Sequence, residues 1–526
     1  MSSNTQQKSG ALRSLFWPIY GGEYKKFIPM LLIFFLIAFV YNMLRAVKDA
    51  LVVTAPDSGA EALPFIKVWV MLPTAFIFSF IYSGLCNRFS RDKVVYWMIS
   101  IFLVFFAAFT FVLYPLRETI HLHSLAEKLS TILPQGCKGL IALLQNWTLT
   151  LFYVMSEMWG TFILTVLFWG FANDVISVPE AKRFYPLLGV GANFSNIFSG
   201  NTTLFLSSTP YNPNFFFGNN AWDQSIFYLT ILILIIGAGI MLIFRHLHSN
   251  VFPIPAVRMT NNVAIPPPKK EKLSLKKNFS YLAGSKYLIC IAIIVLAYNI
   301  TINLTEVLWK NQVKSLYPLP ADYFAYMGHV QIFMGILATS IATFVSSNFL
   351  RKFGWTFSAL FTPIVVLATG IAFFLCSILQ SSSLLASISS FLHYSPLALC
   401  VFFGSMQNCM ARASKYTLFD ATKEIAFIPL SSESKRKGKA AIDGVASRIG
   451  KSGGSVIHQS LLIALSTLTA ATPYVGIIFF FIVIGWIASS ISLGKQFNAL
   501  APQKEAEGEP SAAAPEEKFV REEQNS

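Results

Sequence analysis

Residues 27–44 have the sequence FIPMLLIFFLIAFVYNML, a run of eighteen residues without a charge. A helix of this length spans about 27 Å, close to the thickness of the hydrocarbon core of a bilayer. Eleven further segments of comparable length and apolarity follow along the chain. Together they predict an all-α polytopic membrane protein with twelve transmembrane helices. The twelve segments are residues 27–44, 63–85, 94–116, 145–172, 184–206, 224–244, 287–309, 323–350, 355–379, 394–418, 440–468 and 473–494.

The overall composition indicates the same class of protein. Of the 526 residues, 54% are hydrophobic and only 12% are charged, which is unlike a soluble domain. The six cysteines are scattered and form no CxxC pair. We therefore expect neither a disulfide framework nor a metal site, and no cofactor. A polar lead before the first segment and a charged end after it argue against a cleaved secretory signal.

The distribution of basic residues predicts how the chain is oriented. The net charge of +15 could by itself indicate nucleic-acid binding. If the N-terminus is cytoplasmic, however, the connections on that side contain 28 of the 40 Lys and Arg residues, and those on the opposite side contain 7. This bias predicts that both termini are cytoplasmic. It also explains most of the positive charge, so no nucleic-acid partner is expected.

The segments fall into two groups of six. Residues 1–244 form the first half, and residues 287–495 form the second. Residues 245–286 are rich in Pro and Lys and are expected to be a cytoplasmic linker, while the acidic tail 496–526 is expected to be disordered. Two six-helix halves joined in this way are typical of a major-facilitator-like transporter, whose substrate binds between the halves.

A weak internal repeat supports the division into halves. Tyr41-Asn42 in the first segment matches Tyr298-Asn299 in the seventh. Residues 189–200 in the fifth segment resemble residues 442–453 in the eleventh in their density of small residues. The repeat favours two six-helix repeats joined by a cytoplasmic linker.

Three ionisable residues within or just beyond the predicted segments are candidates for function, because a charge at membrane depth is costly. Lys48 lies at the outward end of the first segment, where the orientation rule disfavours a cation. Glu157 lies midway along the fourth segment, either as a proton site or as the partner of a buried cation. Glu306 belongs to a polar stripe on the seventh segment, in which hydrogen bonding between helices is the alternative role. The stripe consists of Asn299, Asn303, Glu306 and Lys310.

The stretch GKAAIDGVASRIGKSGGSVIHQ, residues 438–459, predicts an anion site. At helical spacing, Arg448 and Lys451 share one face with glycine and serine residues. The glycines resemble a phosphate-binding P-loop, but five residues separate them instead of four and no strand precedes them, so an NTPase is rejected. Asp443 is a supporting polar residue that could pair with Lys439.

Three other ionisable residues in the segments are expected to have structural roles. Arg412 and Lys415, near the cytoplasmic end of the tenth segment, are expected to be interface anchors. His458 is expected to be a hydrogen-bonded core residue.

At these residues the chain resembles the ATP/ADP translocases of obligate intracellular bacteria and plastids. The similarity covers essentially the whole membrane-spanning region. The matching stretches are LRAVKDALVVTAPDSGAEALPFIKVW (44–69), VMSEMWGTFILTVLFWGFANDV (154–175), EAKRFYPLLGVGAN (180–193), INLTEVLWK (302–310), FDATKEIAFIPL (419–430) and KGKAAIDGVASRIGKSGG (437–454).

The resemblance implies roles for four charges. Lys48 and Lys451 would serve the phosphates of the substrate, with Arg448 nearby, and Glu157 and Glu306 would serve coupling or gating. It also implies a multi-pass protein of a bacterial inner membrane, and we expect a monomer. One stretch departs from the family, because exchangers typically have RDTKDTL where this chain has RAVKDAL at 45–51.

The expected function is therefore ATP:ADP exchange by alternating access, with ATP and ADP as partners in a lipid bilayer. Proton-coupled net import of nucleoside triphosphates is the alternative, because importers of this kind diverge from the exchangers in the same stretch. Transport of another organic anion is a more remote alternative. An enzyme is not expected, since the sequence shows neither a nucleophile–base pair nor a metal cluster.

Overall fold

The structure is a computed structural model that describes residues 19–251, 285–344, 346–442 and 446–508. Within these ranges the chain is helical and contains no strand. Twelve long helices, numbered α1 to α12 in chain order, correspond to the twelve predicted segments. They are α1 (Tyr24–Val53), α2 (Ala62–Arg88), α3 (Asp92–Leu113), α4 (Trp147–Val175), α5 (Val178–Ser207), α6 (Ala221–Ser249), α7 (Lys286–Leu316), α8 (Pro320–Phe344), α9 (Ser346–Ile378), α10 (Pro396–Ala426), α11 (Ser447–Leu465) and α12 (Leu468–Gly508).

The apolarity of the helices confirms a polytopic membrane protein. Among the described residues, nine helices are long and apolar enough to cross a membrane. The number is ten if the short helix Ser383–Leu392 and α10, which meet at a bend of 82°, count as one span. The glycines and polar residues of α5 and α11 make them less apolar, and each of these helices is the fifth of its half. The exact number of twelve spans stays a prediction.

The C-terminal part of the chain differs from the predicted boundaries. Ser466, with a positive φ of 68°, separates α11 from α12 inside the predicted segment 440–468. The helix α12 continues to Gly508, past residue 496 where the predicted tail begins, and the disorder of the tail stays a prediction. Most residues at this end favour helix, and Phe497 stacks on the Trp355 ring with 5.0 Å between ring centroids. The tail beyond 508 and most of the predicted linker lie outside the described residues.

Equivalent helices pack in the same way within each half. In the first half, the amide of Asn42 on α1 donates a hydrogen bond of 3.0 Å to the hydroxyl of Ser195 on α5. In the second half, α7 packs against α11 at two glycines. A Cβ atom on Gly450 would lie 2.8 Å from the Cβ of Asn299, so these helices approach closely. The matched asparagines of the repeat thus face the fifth helix of their own half.

Two pairs of helices join the halves. On one side α5 meets α8, where a Cβ atom on Gly200 would lie 2.6 Å from the carbonyl oxygen of Gly328. On the other side α2 meets α11, where Gln459 donates to the carbonyl of Pro64 at 2.9 Å and accepts from the indole of Trp69 at 3.2 Å. We call the end of the bundle where α1 and α7 finish the outer end, following the predicted orientation. The space between these helix pairs contains the candidate site.

Candidate functional site

A buried ion pair joins α1 of the first half to α7 of the second. The carboxylate of Asp49 lies 2.8 Å from the ammonium of Lys310 and, through its other oxygen, 2.8 Å from the ammonium of Lys48. The exposed fraction is 2% for each lysine and 6% for Asp49. Removing charges from water is costly unless they are paired, so Asp49 holds the two lysines in place.

On the side of the first half, the chain of charges continues to α4. Lys48 lies 3.1 Å from the carboxylate of Glu157. Its ammonium also lies 3.7 Å from the centroid of the Tyr153 ring, a cation–π distance. Lys48 is thus surrounded by two carboxylates and an aromatic face, and its position is tightly defined.

On the side of the second half, Glu306 is the centre of the chain. Lys310, one helical turn later on α7, lies 3.0 Å from its carboxylate. Arg412 of α10 lies 2.9 Å away, and Lys67 of α2, across the boundary between the halves, lies 3.5 Å away. The expectation that Arg412 is an interface anchor is therefore wrong, because α10 turns its guanidinium toward a carboxylate in the protein interior.

The connected charges contain more cations than carboxylates. The four cations are Lys48, Lys67, Lys310 and Arg412, and the three carboxylates are Asp49, Glu157 and Glu306. Arg45 adds a further cation beside them; among the described residues it has a cation–π contact with Tyr41 at 5.9 Å and no ion pair. A buried group with excess positive charge favours an anion.

A cavity with about 480 Å³ of empty space adjoins these charges. Its charged wall consists of Arg45, Asp49, Glu306, Lys310 and Arg412. The remaining wall is formed by amide and apolar side chains, including those of Asn196, Gln331, Asn408, Trp309, Met327 and Met334. Residues of both halves line the cavity, so a bound molecule would contact both.

The structure brings some of the predicted site residues together and leaves others apart. Lys48, Glu157 and Glu306 belong to one chain of charges. Arg448 and Lys451 are exposed on α11, and neither has an ion pair among the described residues. Asp443 lies outside the described residues, and its suggested partner Lys439 pairs with Glu424.

The asparagines of α7 have a packing role. Asn303 donates a hydrogen bond of 3.0 Å to the backbone carbonyl of Lys451, which ties α7 to α11. Asn299 donates to the carbonyl of Val295 in its own helix at 2.8 Å. His458 is fully buried, and its Nε2 lies 3.1 Å from the carbonyl oxygen of Leu304. This agrees with the core role expected for His458.

Comparison with known proteins identifies relatives along nearly the whole chain. The family model described as TLC ATP/ADP transporter matches residues 2–497. ADP,ATP carrier protein 1 of Chlamydia pneumoniae is 43% identical over 98% of this chain and 99% of its own length. The chloroplastic ADP,ATP carrier protein 1 of Arabidopsis thaliana is 41% identical over 93% of this chain and 77% of its own length.

Solved transporter structures share the fold. A D-xylose–proton symporter superposes with a TM-score of 0.52 at 11% identity, over 89% of this chain and 97% of that chain. A bacterial homologue of the iron transporter ferroportin, in an outward-facing state with soaked iron, superposes with a TM-score of 0.51 at 14% identity. The superposition covers 89% of this chain and 99% of that chain. This similarity confirms the predicted major-facilitator-like fold, and at such identities it shows the fold alone.

The charges around Glu306 generate a stability prediction. Glu306→Gln removes the carboxylate that Lys310, Arg412 and Lys67 share, so we expect a loss of about 3–5 kcal/mol and a lower melting temperature in detergent. Glu118→Gln is the control, because Glu118 forms an exposed pair with Arg117 that should contribute at most about 1 kcal/mol. Equal melting temperatures for the two variants would contradict the prediction.

Proposed function

The chain belongs to the TLC ATP/ADP transporter family, and we propose that it exchanges ATP for ADP across a membrane by alternating access. It is a transporter and not an enzyme. The observation that supports this proposal is the cavity between the halves, where the cations exceed the carboxylates in number. A nucleotide has several negative charges on its phosphates, and fixed cations in a partly dry site can replace the water that it loses.

Within this function, Lys48, Arg448 and Lys451 serve the phosphates of the nucleotide. Glu157 serves coupling, because its carboxylate neutralises Lys48 at 3.1 Å while no substrate is bound. Glu306 has the corresponding role in the second half, beside Lys310 and Arg412. A phosphate chain that enters the site competes with these carboxylates for their cations.

The position of α11 supports a role for its two exposed cations. Arg448 precedes Gln459 by eleven residues, which is close to three helical turns, so both lie on the same face of α11. Gln459 contacts the first half through Pro64 and Trp69. Arg448 therefore lies on the face turned toward the first half, roughly 16 Å nearer the cytoplasmic end. Lys451, three residues later, is its neighbour on the helix surface.

The remaining wall of the cavity suits a nucleobase. Asn196 and Asn408 place amide groups there, whereas the Gln331 amide already donates to the carbonyl of Asn42 at 2.7 Å and accepts from Ser199 at 3.3 Å. Trp309 and Met334 provide apolar and aromatic surface. Amides can form paired hydrogen bonds with the edge of a base, while apolar side chains contact its face. This combination favours a nucleotide over a simple organic anion, and competition by nucleotides against other anions distinguishes the two.

The contacts of the carboxylates favour exchange over proton symport. A proton-coupled importer needs a carboxylate that can accept a proton during the cycle. Asp49, Glu157 and Glu306 each have a cation within 3.1 Å. The RAVKDAL stretch still makes proton-coupled import of nucleoside triphosphates the second candidate, since it lacks one acidic residue and two threonines of the exchanger pattern.

The class of the protein and the distribution of its basic residues support a proposed membrane and orientation. The excess of Lys and Arg on one side supports cytoplasmic termini, and the bacterial relatives support an inner membrane. The cavity lies between the halves of one chain, which supports a monomer as the functional unit. The units that would move against each other are the two predicted halves, residues 1–244 and residues 287–495.

Transport by purified protein in liposomes tests whether the protein exchanges nucleotides or imports them with protons. We expect uptake of labelled ATP that depends on ADP inside the liposomes and is unchanged by an uncoupler. Uptake that collapses with the uncoupler would indicate proton symport instead. Inhibition by non-nucleotide anions, with none by ADP, would indicate another substrate.

The same assay tests the cations on α11. Lys451→Ala should nearly abolish ATP uptake, because a phosphate contact from the second half is lost. Lys435→Ala is the matched control, since Lys435 is an exposed lysine on the short helix Ser432–Ala441. Uptake by Lys451→Ala at the rate of the unmodified protein would exclude this role.

A further inference from the structure

The ion pair between Asp49 and Lys310, named here the outer latch, holds the outer ends of the two halves together. Asp49 lies near the end of α1, and Lys310 lies near the end of α7. Their 2.8 Å contact crosses the boundary between the halves. The Lys314 ammonium reaches the backbone carbonyl of Ser58 across the same boundary, one turn farther out. Opening the site at this end requires the outer latch to separate.

The outer latch also forms part of the cavity wall. Asp49 and Lys310 line the cavity together with Arg45 and Arg412. Arg45 precedes Asp49 by one helical turn, and Arg412 contacts Glu306, one turn before Lys310. Arg45 is half-buried and has no ion pair among the described residues. A cation in this situation, facing a cavity, is a binding point for an anion.

We infer that the phosphate chain of the substrate binds Arg45, Lys310 and Arg412 and thereby releases the outer latch by competing with Asp49 for Lys310. This inference rests on the proposed exchange of nucleotides. It adds a phosphate site at the outer end of the cavity to the contacts proposed for Lys48 and for the cations on α11. It also gives Asp49 a role as the internal competitor of the substrate.

Electrostatics makes this competition effective. A phosphate group beside Lys310 brings negative charge close to the Asp49 carboxylate, and the repulsion weakens the contact between Asp49 and Lys310. Asp49 keeps Lys48 as a partner in its own half, and Lys310 keeps Glu306. Separation in the loaded state therefore leaves no buried charge unpaired.

The empty carrier behaves differently. With no phosphate present, nothing competes for Lys310, and the outer latch keeps its full strength. A carrier that opens only when loaded cannot return empty, so each nucleotide that leaves must be replaced by another. The outer latch thus supplies a physical reason for strict exchange.

Asp49→Asn tests the outer latch in liposomes that contain labelled ADP. The unmodified protein should release ADP only when ATP is added outside. With the carboxylate removed, release into nucleotide-free buffer should rise about tenfold, within the range typical of coupling between sites. Asp49→Glu should restore dependence on external ATP. Asp420→Asn is the matched control, because Asp420 pairs with Lys415 inside one half at 2.7 Å.

The outcomes separate the two proposals. If the unmodified protein shows no ATP-dependent release, the proposed exchange and the outer latch both fail. If it does and Asp49→Asn remains equally dependent on ATP, only the outer latch is overturned. If Asp49→Asn does not fold, Lys310→Gln replaces it. This change removes the other partner of the 2.8 Å contact, and release that stays fully dependent on external ATP in that variant would overturn the inference.

Arg45→Gln tests the phosphate site separately. We expect the half-saturating ATP concentration to rise about tenfold, since a charge-assisted hydrogen bond is lost. Release should stay dependent on external ATP, because Asp49 and Lys310 are intact. Arg245→Gln, at an exposed arginine near the end of α6, is the control. A half-saturating concentration equal to that of the unmodified protein would remove Arg45 from the site.

Discussion

A charge that is taken out of water must have an opposite charge close by, and this constraint organises the centre of the protein. Six charges alternate in sign from α4 to α10, in the order Glu157, Lys48, Asp49, Lys310, Glu306 and Arg412. Glu157 pairs with one cation, whereas Asp49 and Glu306 each join cations on different helices. The helices that contain them are fixed relative to one another, and the cavity lies against this line. An anionic substrate therefore enters a site whose charges are already placed.

The two halves can move as units because their internal contacts differ from the contacts between them. Within a half, the asparagines of α1 and α7 pack against the glycine- and serine-rich helices α5 and α11. Between halves, Gly200 and Gly328 allow close approach of α5 and α8, and the Ile332 side chain packs over Gly200. The ion pairs Asp49–Lys310 and Lys67–Glu306 cross the boundary elsewhere. The ion pairs across the boundary then determine when separation occurs.

The sequence was sufficient to find part of the site. Glu157 and Glu306 could be identified because a carboxylate within an apolar segment is costly and therefore indicates function. Lys48 could be identified because the orientation rule disfavours a cation at the outward end of the first segment. Asp49 and Lys310 are harder to identify from the sequence, because each stands next to or one helical turn from a charge of opposite sign that can account for it. Arg412 was misassigned because a cation near the end of a predicted helix resembles an interface anchor. Only the structure shows that α10 directs the Arg412 side chain toward Glu306.

The sequence by itself determined the fold class, the division into two halves, the expected orientation and the family resemblance. These properties follow from local composition and from the spacing of charges along one chain, which are present before folding. The tertiary structure decided which charges become partners. Asp49 and Lys310 are 261 positions apart in the sequence, and no periodicity within a segment specifies their contact. This contact arises because α1 and α7, which pack in the same way within their halves, end side by side. In the low dielectric at that place, a charge without a partner of opposite sign is costly.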